Sequence, residues 1–511
     1  MRHFLLYICS VLCLWVSCTS RPGLPSPTDS RAVSERVRLY PDYCDVTIPP
    51  NMAPLNLYVK NAGKSFVVSL EGGGERLVAS ADADSPLQFD LQAWRKLLQA
   101  NRGGRISVTV YALREDGWVK LTPYGIMVAR EPIDPYLSYR LIEPLYESYR
   151  QMGLYQRDLR TFGERAIYEN NRTDQPADNH CINCHSFRQH SARQMLFHVR
   201  AAHGGTVFIN GSKAQKIDMR TDSLLSAPVY PAWHPLHPWV AFSVNRTGQA
   251  FHLSDPDKVE VVDFASDLVL HDTGTHCISP ITHQTDTELE TFPSWSPDGR
   301  RLYYTCAHMP QLSGASDARK RQLLTTLYRK VYYNVMSRSF DPQSRSFGPP
   351  VVEYDCAAKR LSASVPRISP DGRYLLFTLA DFGQFHIWHS SADLYVKDLR
   401  TGHTIPLTEA NAPHRADSYH GWSSNGRWIV FASRRDDGTY SRVYIAYFDR
   451  TGHAHKAFLL PQEDPLQNIF RLKSYNVPEL TRDALAITPE QLQECVYADA
   501  KAVRATYASP H

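Results

Sequence analysis

Four stretches of this chain share one short pattern, and that pattern leaves few folds open. Tyr230-Pro231-Ala232-Trp233-His234-Pro235 runs into Val240-Ala241-Phe242-Ser243, and Phe292-Pro293-Ser294-Trp295-Ser296-Pro297-Asp298-Gly299 runs into Leu302-Tyr303-Tyr304. Val365-Pro366-Arg367-Ile368-Ser369-Pro370-Asp371-Gly372 leads to Leu375-Leu376-Phe377, and Tyr419-His420-Gly421-Trp422-Ser423-Ser424-Asn425-Gly426 leads to Ile429-Val430-Phe431. Pro presets φ at the start of a turn, and Asp-Gly or Asn-Gly supplies the left-handed residue that a tight hairpin needs. A strand–turn–strand unit of this kind cannot bury both faces alone, so copies pack radially as propeller blades. The spacing leaves room for about six blades over residues 193–485, with five or seven as alternatives. The first includes Gly205–Ile209, and Tyr475–Leu480 helps close the ring. Asp317–Lys330 is polar and helix-compatible and decorates one gap. His234-Pro235-Leu236-His237 departs from the Pro-Asp-Gly turn, placing two histidines where they could face a metal or haem.

The second constraint is Cys181-Ile182-Asn183-Cys184-His185, a C-x-x-C-H run, the attachment signature of c-type haem. On a helical turn, two thiols three positions apart reach the two vinyl groups of one haem, and the adjacent His ligates the iron. A zinc site would need a second pair of ligands at regular spacing. A thioredoxin-like pair would follow a strand in a βαβ unit, whereas this one follows the polar stretch 170–180. The reading is therefore one covalent haem c, with thioethers at Cys181 and Cys184 and His185 as proximal iron ligand. His198, among apolar neighbours, is the first candidate for the distal ligand, followed by Met195, His190 and His203. A satisfied strand histidine is the alternative for His198, and an open iron face is the alternative for the site.

Haem c attachment takes place outside the cytoplasm, and the start of the chain agrees. Arg2 and His3 precede the apolar run Phe4–Val16, of secretory-signal length and short for a membrane span. Residues 1–17 read as a signal peptide. Leu14-Trp15-Val16-Ser17-Cys18 resembles a bacterial lipobox, with Trp15 where Leu is usual, which makes Cys18 the lipidated residue. Residues 18–37, rich in Ser, Pro and Arg, read as a flexible tether. The expected setting is the envelope of a Gram-negative bacterium, membrane-anchored through the lipid and facing the periplasm.

The remaining regions follow from local signals. Residues 38–131 hold strand-like runs at Ser65–Leu70 and Ile106–Tyr111 and a helix at Leu91–Ala100 capped by Asp90, and read as a small β-sandwich. Residues 132–192 carry apolar residues at helical spacing and read as a helical segment bearing the haem site. Residues 486–511 form a C-terminal tail. Seven further cysteines scattered beyond residue 18 do not make a disulfide framework. The net charge of +4 over 511 residues, without a basic stripe, excludes nucleic acid as a natural partner.

The W-S-P-D-G pattern of Trp295–Gly299 and its relatives resembles the TolB-type, WD-repeat-like propeller. Tyr40–Tyr43, Ile48–Asn56, Glu131–Tyr136 and the C-x-x-C-H run extend this. Together they resemble a family of bacterial lipoproteins joining a haem-attachment motif to such a propeller. The resemblance implies a mainly β protein, a TolB-like β-propeller preceded by a small β-sandwich domain and a short helical haem-attachment segment. The implied role is electron transfer or redox sensing, with the propeller as docking surface for a redox or envelope protein. The alternative is a TolB-like interaction scaffold in which haem is structural or absent. Catalysis is disfavoured: no G-x-S-x-G nucleophile motif occurs, and there is a single C-x-x-C-H.

Overall fold

A computed structural model describes residues 30–144, 151–171, 179–282 and 285–508. The signal peptide (1–17), Cys18 and the tether as far as residue 29 lie outside the described residues. No helix among the described residues is long and apolar enough to cross a membrane.

Seven of the N-terminal strands hydrogen-bond as one sheet, and Leu39–Tyr40 and Tyr58–Val59 form a separate short pair, rather than the two facing sheets of comparable size expected of a sandwich. At its centre Arg105–Arg114 pairs with Ser65–Gly72 on one side and with Gly117–Thr122 and Tyr124–Val128 on the other. Leu91–Ala100 is helical as expected. The Asp90 carboxylate accepts from the backbone N–H groups of Gln92 and Ala93, and Trp94, Leu97 and Leu98 form the buried stripe. The expected tether is strand at its end: Ser30–Arg36 pairs in parallel with Gly117–Thr122. An edge strand buries only part of its surface, so a Ser- and Arg-rich sequence suffices for it. The sheet shares one core with the propeller, running from Val68 and Trp94 to Trp428, Ile445 and Tyr475.

The rest is a propeller-like array of antiparallel sheets. Ser362–Ile368, Tyr374–Ala380, Asp393–Asp398 and Thr404–Pro406 make one four-stranded unit, and Asp417–Trp422, Trp428–Ser433, Arg442–Tyr447 and Phe458–Leu459 another. The expected count of about six separate blades is not what the sheets form. Four are separate sheets of four or five strands, whereas residues 229–354 build, with Thr506–Tyr507, one ten-stranded sheet. The cause is the length of Val259–Asp272, which reaches far enough to pair in parallel with Glu288–Trp295 at Ser266 and Leu289.

Two more expectations are corrected. The helical reading of 132–192 fails: Tyr136–Ile142, Gly153–Asp158, Glu164–Glu169 and His180–Arg188 are all strands. Leu137, Tyr139 and Leu141 are buried at the period of two that a strand requires. The tail, too, is structured. Pro489–Tyr497 is a helix with a capping box between Thr488 and Gln491, and Val503–Arg504 adds to the sheet of His180–Arg188. The closing strand lies where the sequence placed it. Ser474–Thr481 pairs along its length with Tyr136–Ile142, completing an early sheet with a late strand.

The repeat explains the hairpins atom by atom. Ser296, Ser369 and Ser423 each accept, through Oγ, the backbone N–H of Arg301, Tyr374 and Trp428 respectively, at 2.9–3.0 Å. In the departing copy His234 replaces that serine. Its Nδ1 accepts from the N–H groups of Leu236 and His237, and Nε2 donates to the Gly299 carbonyl at 3.0 Å. Gly299 is left-handed (φ +68°), and a Cβ there would lie 2.3 Å from the His234 ring. Both ring nitrogens of His234 are thus spent on turns, which answers the metal question for this residue. The repeat's tryptophans join neighbouring units: Trp233, Trp295 and Trp422 donate from Nε1 to the carbonyls of Ser186, Ala232 and Arg367.

Candidate functional site in the axial cavity

Six strands face a common cavity of about 1020 Å³, two of them from the ten-stranded sheet. Each carries one residue with a left-handed backbone: Cys184, Tyr230, Phe292, Val365, Tyr419 and Val477, with φ between 47° and 53°. At each, the pairing register with the adjacent strand slips, which marks a β-bulge. Non-glycine residues in this region cost on the order of 1–3 kcal/mol each and persist where the surroundings over-determine them. All six line the cavity. The residue after each is His185, Pro231, Pro293, Pro366, His420 or Pro478. The C-x-x-C-H run is thus one member of the same sixfold set, its Cys184-His185 standing where four other strands carry a residue followed by proline.

That placement decides how the two thiols are presented. In a regular strand Cys181 and Cys184 would point to opposite faces. The bulge re-aims Cys184, and both cysteines, with Asn183 and His185, line the one cavity. Neither is in a disulfide. Burial raises the Cys181 thiol. Arg140 anchors the run, donating to the Ile182 carbonyl, to Asn183 Oδ1 and to Asn476 Oδ1 on the closing strand. His185 is 3% exposed. Its Nε2 is buried with no hydrogen-bond partner among the described residues. Burial, with Arg140 nearby, pushes its pKa down to about 3, against a hydrogen bond to the Val477 backbone. A neutral imidazole with one bonded edge and one unpartnered nitrogen is the form in which histidine ligates metal. Two thiols and such an imidazole on one cavity of cofactor size fit covalent haem.

The proposed distal residues fare differently. His198 lies on Ser191–Ala201, one strand away from the axis, and does not line the cavity. Its Nδ1 meets Thr206 Oγ1 at 2.8 Å, and its ring packs against Phe242. A ligand role facing His185 across the cavity does not follow for it. Met195 is core, and His203 pairs with Asp499 and packs on Tyr497. His190 lines the cavity but bonds through Nδ1 to the Leu480 carbonyl. The histidine the motif reading missed is His420. It lines the cavity, its Nε2 is buried without a hydrogen-bond partner among the described residues, and burial pushes it down to about 3. Its signal was in the repeat, where Tyr419-His420 replaces a residue–proline pair. Elsewhere Glu288, Glu290 and Cys306 bring three donor atoms within 4.8 Å of one another, away from the cavity.

No family model matches the chain, and no curated protein matches it. Among solved structures it is similar to Kuenenia stuttgartiensis hydrazine synthase at 13% identity, covering 57% of this chain and 67% of that one, with a TM-score of 0.32. It is similar to an oligogalacturonate lyase from Vibrio parahaemolyticus at 10% identity, over 62% and 92% of the two chains, with a TM-score of 0.31. A DUF4784 family protein from Bacteroides caccae is similar at 7% identity, over 74% and 97%, with a TM-score of 0.29.

Proposed function

We propose that the axial cavity carries one covalent haem c and that the protein acts in electron transfer or redox sensing. Cys181 and Cys184 hold the group through thioethers, and His185 is its protein iron ligand. The observation that carries the reading is the bulge at Cys184, which turns both thiols to a cavity that His185 also lines with an unpartnered Nε2. When bound, a haem supplies a one-electron couple whose potential depends on axial ligation and burial. The chain's part is to hold His185 neutral and fixed, and to exclude bulk water with the aromatic walls of Tyr230, Phe292 and Tyr419. In this reading the protein sits in the envelope, lipid-anchored at Cys18, with the outer face of the propeller as docking surface for a protein partner; the apolar run Phe4–Val16 followed by Cys18 supports it.

The test is a pyridine haemochrome spectrum on protein exported with cytochrome c maturation factors. A c-type spectrum at one haem per chain, lost in the Cys181→Ala/Cys184→Ala variant, supports the reading. One observation favours a second reading, an envelope interaction scaffold without haem: four strands place proline where His185 stands, so the position also has a packing role. A colourless product would select it.

A further inference from the structure

Two residues beyond each left-handed position, the six strands carry Ser186, Ala232, Ser294, Arg367, Gly421 and Glu479, and all six line the cavity. Four are small. The charged pair comes from the strands that flank Gly421 in the ring, and Gly421 contributes no side chain between them. A Cβ at Gly421 would meet only the Pro478 carbonyl, at 3.6 Å, so the space beside it is open.

Arg367 is the unusual member. It is half-buried, and it forms part of the cavity wall. Among the described residues its one side-chain hydrogen bond runs from Nη1 to the Pro366 carbonyl, at 3.3 Å. No carboxylate among the described residues comes within ion-pair distance of it. Glu479 attracts it from further off, but its Oε1 accepts the Phe187 N–H at 3.0 Å. The Arg367 backbone is held by the Trp422 indole, so the side chain starts from a fixed point. A guanidinium stays charged, and the one carboxylate that attracts this one, Glu479, does not pair with it. The strand arrangement therefore keeps a planar, five-donor cation in the cavity wall.

We infer that this level of the cavity is a carboxylate-binding site, in which Arg367 receives the carboxylate of a ligand with a flat apolar body. The body packs along Tyr230 and Phe292, whose rings lie 4.3 Å apart, and along Tyr419. The fork of the guanidinium matches a carboxylate in two parallel hydrogen bonds. The inference rests on the axial cavity being the functional site. The same chemistry has two sources, a propionate of a bound haem or a free organic acid.

The probe is benzoate, with neutral benzamide as its isostere, titrated into the full exported chain while the fluorescence of the cavity tryptophans is followed. Colourless protein, made without haem maturation, should bind benzoate saturably and benzamide at least tenfold more weakly. Arg367→Gln should weaken benzoate at least tenfold and leave benzamide unchanged, with Arg367→Lys between. If Arg367→Gln fails to fold, Gly421→Leu fills the adjacent space from a neutral position and should abolish benzoate binding. Equal binding of benzoate and benzamide, no saturable benzoate binding, or an unchanged affinity in a folded Arg367→Gln variant would overturn the site. If haem-loaded protein loses benzoate binding, the carboxylate is a propionate; if it keeps it, the ligand is a free acid. A negative haemochrome leaves the benzoate result standing, so the two readings fail separately.

Discussion

Cys184 and Tyr419 stand at equivalent points of two strands, with φ of 49° and 47°, and each is followed by a buried histidine. Burial raises the Tyr419 phenol, and the nearby Cys184 sulfur adds to the effect. The thiol is therefore one side chain in a ring of cavity-facing groups rather than part of the sheet's packing. Cys181→Ala/Cys184→Ala should accordingly remove the haemochrome signal while far-UV circular dichroism stays unchanged. A loss of β signal would mean the thiols are structural.

His185 occupies a position that four other strands fill with proline, and residues 184 and 185 lie in the unpaired part of the bulge. His185→Pro should therefore fold, melting close to the parent, and should yield a chain with no histidine-ligated haem. Thermal melting followed by the haemochrome spectrum checks both parts. His420→Pro offers the matched comparison: it should fold equally well and retain the covalent haem.

Trp422 joins two neighbouring sheets through its indole N–H and the Arg367 carbonyl at 3.2 Å. Trp422→Phe keeps most of the apolar contact and leaves that carbonyl without its donor. The expected loss is about 1–2 kcal/mol, read as a lower urea midpoint with an unchanged slope.

The fold favours the acid form of Glu290. Burial pushes it up to about 7, assisted by Asp267 and Glu288 and opposed by the Thr282 hydrogen bond and Arg338. Its folded value lies above its unfolded one of 4.5, so the stability linked to it is complete below that value. It is lost as the pH rises through about 7, by on the order of 3 kcal/mol for this group. Glu290→Gln should remove this fall. Urea unfolding at about pH 5 and about pH 8 would show it, and equal pH dependence in parent and variant would count against the assignment.

Much of the architecture was legible because it is written in turn chemistry. Pro-Asp-Gly and Asn-Gly located the hairpins, Asp90 located the helix start, and Tyr475–Leu480 was seen as the closing strand. The segment ahead of the haem motif was misread because Tyr136–Ile142 mixes aromatic, aliphatic and charged residues whose spacing also fits a helix. Its period of two is fixed by pairing with Gly153–Asp158 on one side and, on the other, with Ser474–Thr481, more than 300 positions away. The bulges were illegible for another reason. Tyr, Phe, Val and Cys ordinarily avoid the left-handed region, so no residue type announced it, and the following proline was the sole trace. The apolar neighbours of His198 describe a strand's burial but not its distance from the axis.

The strand that closes the ring also carries Val477 and Glu479 into the cavity and bonds through Asn476 to Arg140, the anchor of the cysteine run. In a chain threaded outward from its start, that strand arrives some 290 residues after Cys184. Until it docks, the chamber has an open side. A rigid group too large to pass along the axis has this interval in which to enter sideways. On the proposed reading, attachment and folding would then compete in time, and the order in which they finish would decide whether a molecule ends red or colourless.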